Sequence, residues 1–152
     1  MSVSRIPNTA LAAELTELLS VVDPYSVADV LLKRAFDHRA TDVHLDPTLV
    51  GVRVRFRVDG RLQDIIPIPA AAGNNLLSRI KVTAGMDITE RRVPQDGHIS
   101  AQQFDGITRD IRVSSLPTIY GERLALRIMP DSEEFTALGD LGFFDDQLAV
   151  LQ

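Results

Sequence analysis

The chain opens with two stretches whose apolar residues recur at helical spacing, and then the period changes. Over Thr9–Ser20, Leu11, Leu15, Leu18 and Leu19 fall on one face, which predicts a short helix with Asn8 as its N-cap. Asp23-Pro24 breaks it. Pro24–Arg39 predicts a second helix, capped by Asp23, with Val27, Val30, Leu31 and Ala35 inward. After Ala40 the period falls to two. Val43 and Leu45 alternate with Asp42, His44 and Asp46, and then Val52, Val54, Phe56 and Val58 alternate with Arg53, Arg55 and Arg57. Asp59-Gly60 is a hairpin signal and Arg61–Ile68 the returning strand. Pro69–Ala84 goes back to helical spacing, with Leu76, Leu77 and Ile80 inward and Gly85 placed to stop it.

Met86–Gly97 is an irregular, charged connection. His98–Phe104 and Ile107–Ser115 predict a second hairpin about Asp105-Gly106, Leu116–Gly121 a tight loop, and Glu122–Met129 the last strand. Asp131–Gly142 is an acidic connector, after which Asp145 or Asp146 caps a helix that Gln152 cuts short. Helices with successive hairpins predict an α+β fold, a mostly antiparallel sheet with helices packed on one face and an N-terminal helical segment before it. A last helix of barely two turns is what the front piece of a longer protein would show.

Composition narrows this little. At 152 residues, 45% apolar and 24% charged, the chain suits one soluble domain. The lack of cysteine excludes disulfides, thiolate nucleophiles and cysteine-bound zinc. No apolar run reaches the ~18 residues of a membrane helix, and the polar start Met1–Asn8 is not that of a signal peptide. Charge is more informative. Arg supplies 14 of the 16 basic residues, and they are segregated: residues 53–127 carry twelve basic and eight acidic side chains, residues 128–152 six acidic and none basic. The guanidinium fork suits anion recognition. A GC-rich genome that spells basic residues as Arg accounts for the skew equally well.

The sequence has no Gly-Lys-Ser/Thr phosphate loop, no Gly-x-Ser-x-Gly elbow and no Gly-x-Gly-x-x-Gly turn, so it shows no evident hydrolase site of its own. Arg53, Arg55 and Arg57 lie ~6.6–7 Å apart on one strand face. That stripe either tracks phosphates or an acidic partner, or is a solvated face paired with acidic neighbours across the sheet. Asp42, His44 and Asp46 share a face and are metal-ligating types, but three groups on one flat strand rarely converge. The segments Arg91–Gly97 and Arg109–Ser114, and the pair Arg123 and Arg127, are anion-binding candidates by the same reasoning.

Six segments in order carry a resemblance: Ala40–Pro47, Val52–Leu62, Ser78–Lys81, Met86–Gly97 with its Pro-Gln-Asp-Gly run, Asp110–Met129, and Leu138–Phe143. They resemble the type II secretion and type IV pilus assembly ATPases, and they match the PAS-like module that precedes the RecA-like core of those enzymes. The resemblance divides the chain into residues 1–22, a helical segment or linker; 23–130, the PAS-like domain; and 131–152, an acidic connector to an ATPase core that this sequence lacks.

It implies a cytoplasmic enzyme, a homo-hexamer peripheral to the inner membrane, that binds ATP between this domain and the core. Mg2+ would be held only with the core. Partners would be that core, the neighbouring subunits and the inner-membrane platform proteins of secretion or pilus assembly, with no nucleic acid expected. Arg112 and Arg127 match the family's phosphate-contacting arginines, and Arg79 and Arg92 are further candidates for phosphate or inter-subunit contacts. Leu141, Gly142 and Phe143 lie where the interdomain linker approaches nucleotide. Without a Walker motif the chain is not expected to turn over ATP alone. The alternative is a stand-alone, non-enzymatic binding module derived from that family, docking through the Arg53/Arg55/Arg57 face and the acidic tail. One departure is visible: His98 stands where the family usually has Arg after Pro-Gln-Asp-Gly, so a contact made there becomes pH-sensitive.

Overall fold

The computed structural model describes residues 9–131, apart from Val22, Pro24, Tyr25 and Gln102. Three helices, α1 (Thr9–Val21), α2 (Val27–Asp37) and α3 (Ala70–Thr83), accompany six strands: β1 (Asp42–Pro47), β2 (Gly51–Val58), β3 (Arg61–Pro69), β4 (Gln95–Ile99), β5 (Ile111–Thr118) and β6 (Gly121–Ile128). Every pairing is antiparallel and the sheet order is β3-β2-β1-β6-β5-β4. The chain is therefore α+β, with an open sheet.

Alternation decides which face is covered. Val43, Leu45, Val52, Val54, Phe56, Ile111, Val113, Leu124 and Leu126 point to one side and are buried, against Leu11, Leu15, Leu31, Leu32, Leu76 and Ile80 of the helices. Each such side chain contributes roughly 1.5–3 kcal/mol of burial. The opposite face carries the Asp, Arg and His side chains, with Leu62, Ser114 and Ala125 among them. A buried ion pair lies on the covered side: Lys81 of α3 meets Glu122 of β6.

Chain reversals follow from backbone conformation. Asp59 and Gly60 both take positive φ, 51° and 75°, the two-residue turn whose twist suits a hairpin. Helices α2 and α3 end alike. Gly85 at φ 72° lets Met86 N–H reach the Lys81 carbonyl, and Arg39 at φ 57° lets Ala40 N–H reach that of Ala35. The second closure uses an L-residue where glycine is favoured.

Four expectations need correction. Helix α2 ends at Asp37 rather than Arg39, because Arg39 takes positive φ and lets Ala40 N–H close on Ala35, while its expected start at Pro24 lies outside the described residues. Strand β4 begins at Gln95, inside the segment expected to be irregular, and ends at Ile99.

The strands of the second hairpin are shorter than expected, ending at Ile99 and resuming at Ile111, although Ile107 N–H still reaches the Phe104 carbonyl across the Asp105-Gly106 turn. Phe104 and Ile107, 2% and 3% exposed, both turn into the core instead of alternating, and Asp110 Oδ1 accepts Ala101 N–H, so Ser100–Asp110 folds as a loop. Finally, Leu116–Thr118 extends β5 and the turn is Ile119-Tyr120. Pro117 is tolerated because β4 pairing stops at Ser115, leaving no ladder partner for the missing N–H. Asn8 and the helix expected near the end of the chain lie outside the described residues.

Candidate functional site

In-register antiparallel pairing lines up the uncovered face in rows across the sheet. One row runs over five strands: Arg57, Asp42, Arg127, Arg112 and His98. It holds three arginines and a histidine against one carboxylate.

The remaining arginines of this face have their own acids. Arg53 donates Nε and Nη2 to the two oxygens of Asp64 at 2.7 and 2.9 Å. Arg55 donates both to Asp46 Oδ2, at 3.0 and 2.7 Å. Arg123 Nε lies 2.9 Å from Asp46 Oδ1 with its N–H not aligned on the oxygen, an ion pair without a directed hydrogen bond. Arg123 Nη2 also donates to His44 Nδ1 at 3.2 Å, which places the imidazole proton on Nε2. Burial, then Arg123 and Arg55, hold the His44 pKa below the usual 6.5. The Arg53/Arg55/Arg57 stripe is thus the paired face: even Arg57 has Asp42 at 3.6 Å and the Gly60 carbonyl at 3.1 Å. Asp42 and Asp46 are spent on arginines, and the described residues hold no cluster of three His, Cys, Asp or Glu able to take a metal ion.

Arg112 differs. It is exposed and makes no ion pair among the described residues, although it stands between Arg127 and His98. Arg127 is 71% exposed and shares Asp42, with Nε 3.1 Å from Oδ1. Two adjoining hollows open at this end of the sheet. One, of about 400 Å³, is lined by His98, Arg109, Arg112 and Asp131 among others. The other, of about 510 Å³, is lined by Arg39, Asp42, Arg109 and Arg127, and Arg109 and Pro130 belong to both. Arg109 is steadied over the Phe36 ring at 5.2 Å. Arg39 joins the group through the α2 terminus, and nothing in its local sequence marks it.

The structure brings Arg112 and Arg127 together and leaves the other candidates elsewhere. Arg79 lies on the helical side, pairs with Asp29 at 3.1 Å and sits over the Phe104 ring at 5.5 Å, tying α3 to α2. Arg92 is 90% exposed on the connection that enters β4, with Glu90 at 3.7 Å. Leu141, Gly142 and Phe143 lie outside the described residues.

Fold and charge row together define an α+β domain that carries a concentrated arginine site and no phosphate loop. A family model described as type II/IV secretion system protein matches residues 20–152, and the chain belongs to that family. The type IV pilus assembly ATPase PilB of Myxococcus xanthus is 37% identical over 81% of this chain. HxcR, a type II secretion system protein of Pseudomonas aeruginosa, is 40% identical over 91%, and type II secretion system protein E of Dickeya dadantii 38% over 87%. The chain spans only 22%, 30% and 28% of those relatives. Among solved structures, the pilus retraction motor PilT with bound ADP superposes with a TM-score of 0.51 at 18% identity, over 80% of this chain and 34% of that one. The Legionella pneumophila ATPase DotB gives 0.54 at 14%, over 100% and 37%. At such identity these two show the fold alone.

Proposed function

We propose that this chain is the arginine-supplying domain of a secretion or pilus-assembly ATPase, with ATP as its ligand and hydrolysis performed by a P-loop core beyond it. The observation that carries the reading is Arg112, an exposed arginine without an acid partner among the described residues, opposite a second arginine in the same row. Like charges directly opposite one another are destabilising in a sheet, so the pair favours an anion. Arg53, Arg55 and Arg123 lack that property because aspartates already hold them.

The phosphates of ATP fit: they carry several negative charges, and guanidinium groups fixed before the reaction stabilise charge that develops on a transferring phosphoryl group. Asp42 holds Arg127 and Arg109 rests on Phe36, so part of the site is set in advance. Magnesium would be held with the core, since the one carboxylate of this row, Asp42, is engaged by arginine. In this reading residues 131–152 lead to the core, the assembly is a homo-hexamer peripheral to the inner membrane on its cytoplasmic side, and platform proteins are its partners. Rigid-body movement of the domain against the core would link turnover to pilin assembly or secretion.

The test is ATP turnover by a single chain carrying this domain ahead of its P-loop core, compared with the core alone. Turnover that needs the domain, and is lost with Arg112→Ala, supports the reading. Turnover indifferent to both sinks it.

A further inference from the structure

The row that carries Arg112 ends on a histidine. His98 faces Arg112 in register, and its Nε2 lies 3.2 Å from Asp110 Oδ2. Asp110 is itself anchored, because Oδ1 accepts Ala101 N–H at 2.7 Å. That amide first, and His98 second, hold the Asp110 carboxyl below its usual range.

The charged groups around His98 come from four places. β5 brings Arg112, the Ser100–Asp110 connection brings Arg109 and Asp110, its own strand carries Asp96 two residues earlier, and Asp131 lines the same hollow from beyond β6. On the core side of β4, α3 ends with Lys81, whose charge is matched by Glu122. A phosphate against Arg112 would therefore meet the carboxylates of Asp110 and Asp131 as well as the arginines. A neutral imidazole offers it no charge. A protonated one offers a second cation on the side away from Arg127 and offsets the carboxylate beside it.

Resting on the reading of Arg112 and Arg127 as phosphate ligands, we infer that His98 is a third cation of their site, so that a phosphate anion binds with uptake of a proton and more weakly as pH rises. Linkage makes the effect reciprocal: the factor by which protonation tightens the anion is the factor by which the anion tightens the proton. Asp110 acts as the positioning residue that keeps Nε2 in place and balances the imidazolium when no anion is present.

The experiment uses inorganic tripolyphosphate as the probe, titrated by calorimetry into the 152-residue chain and into His98→Arg and His98→Gln. Measurements are made at pH 6 and pH 8 at one low ionic strength. The probe's own ionisation is common to all three proteins, so ratios between them isolate residue 98. The wild type should match His98→Arg at pH 6 and fall about tenfold behind it at pH 8, near His98→Gln, which corresponds to a shift of one pK unit. An unchanged wild-type to His98→Arg ratio at the two pH values overturns the proton link and leaves the arginine site standing. Failure of all three to bind at pH 6 removes the arginine site and this inference with it. A second readout needs no variant: the His98 ring titration, followed by NMR, should move to higher pH with saturating probe while that of His38 stays in place. An unmoved midpoint also overturns the inference.

Discussion

The ammonium of Lys81 lies 2.9 Å from each carboxylate oxygen of Glu122, with the two side chains 3% and 5% exposed. Its third donor goes to the Glu90 carbonyl at 3.0 Å, an oxygen that Gln95 Nε2 also reaches. One buried pair thus ties α3, the start of β6 and the 86–94 connection together. Removing one partner leaves the other charge buried and uncompensated. Lys81→Met should therefore cost about 3–5 kcal/mol, whereas Lys81→Met with Glu122→Leu should recover most of that loss. Denaturant unfolding of both variants checks it. A single variant as stable as wild type contradicts the burial of the pair.

Asp42 accepts from Arg127 at 3.1 Å and stands 3.6 Å from Arg57, the only carboxylate in a row with four basic side chains. Asp42→Asn removes that charge and frees Arg127. Both arginines are well exposed, so stability should fall by no more than about 1 kcal/mol. Affinity for tripolyphosphate should rise several-fold in calorimetry. Weaker binding by the variant would mean that Asp42 is needed to aim Arg127 and that its charge matters little.

Arg39 occupies the left-handed position that Gly85 fills at the end of α3. A non-glycine residue there costs roughly 1–2 kcal/mol, partly offset by the larger chain entropy that glycine loses on folding. Arg39→Gly should raise the midpoint of thermal unfolding by a few degrees, a shift of about 1 kcal/mol. If Arg39 also attracts anions, the same variant binds tripolyphosphate more weakly, so the two effects separate stability from site.

His44 binds a proton less readily in the folded protein, chiefly because it is buried and next because Arg123 and Arg55 repel the imidazolium. The unfolded chain therefore takes up more protons as pH falls below about 6.5, and stability drops with it. His44→Gln should flatten this part of the stability curve, read as unfolding midpoints between pH 7 and pH 5. The wild-type slope retained in the variant would place its origin elsewhere.

Most of the fold could be read from alternation. The faces of β1, β2 and β6 follow from Val43, Val54 and Leu124 recurring every second residue, and α3 from Leu76 and Ile80. Between Ser100 and Asp110 the expected strands are absent, because the apolar Phe104 and Ile107 reach the core from a loop, and only tertiary contacts distinguish that from strand burial. The rows of the uncovered face were illegible for a related reason. Arg112 and Arg127 are fifteen residues apart, and their adjacency depends on the β5–β6 turn falling at Ile119-Tyr120 instead of earlier. Sequence likewise left two readings of the Arg53 stripe open, and the positions of Asp64 and Asp46 across the sheet decide between them. Nothing in the helical pattern of Leu76, Leu77 and Ile80 marked Lys81 as buried. Its partner is 41 residues away.

The central claim is that Arg112 acts on nucleotide phosphate while its paired neighbours hold the sheet together. The most direct measurement is steady-state ATP turnover by the domain joined to its P-loop core, comparing Arg112→Ala with Arg53→Ala. Removal of a charge-stabilising group from a transferring phosphoryl should lower kcat for Arg112→Ala about a hundredfold or more, at an unchanged unfolding midpoint. Arg53, held by both oxygens of Asp64, should leave kcat within about twofold and lower stability by up to about 1 kcal/mol. Wild-type turnover in Arg112→Ala, or equal losses in the two variants, contradicts the account.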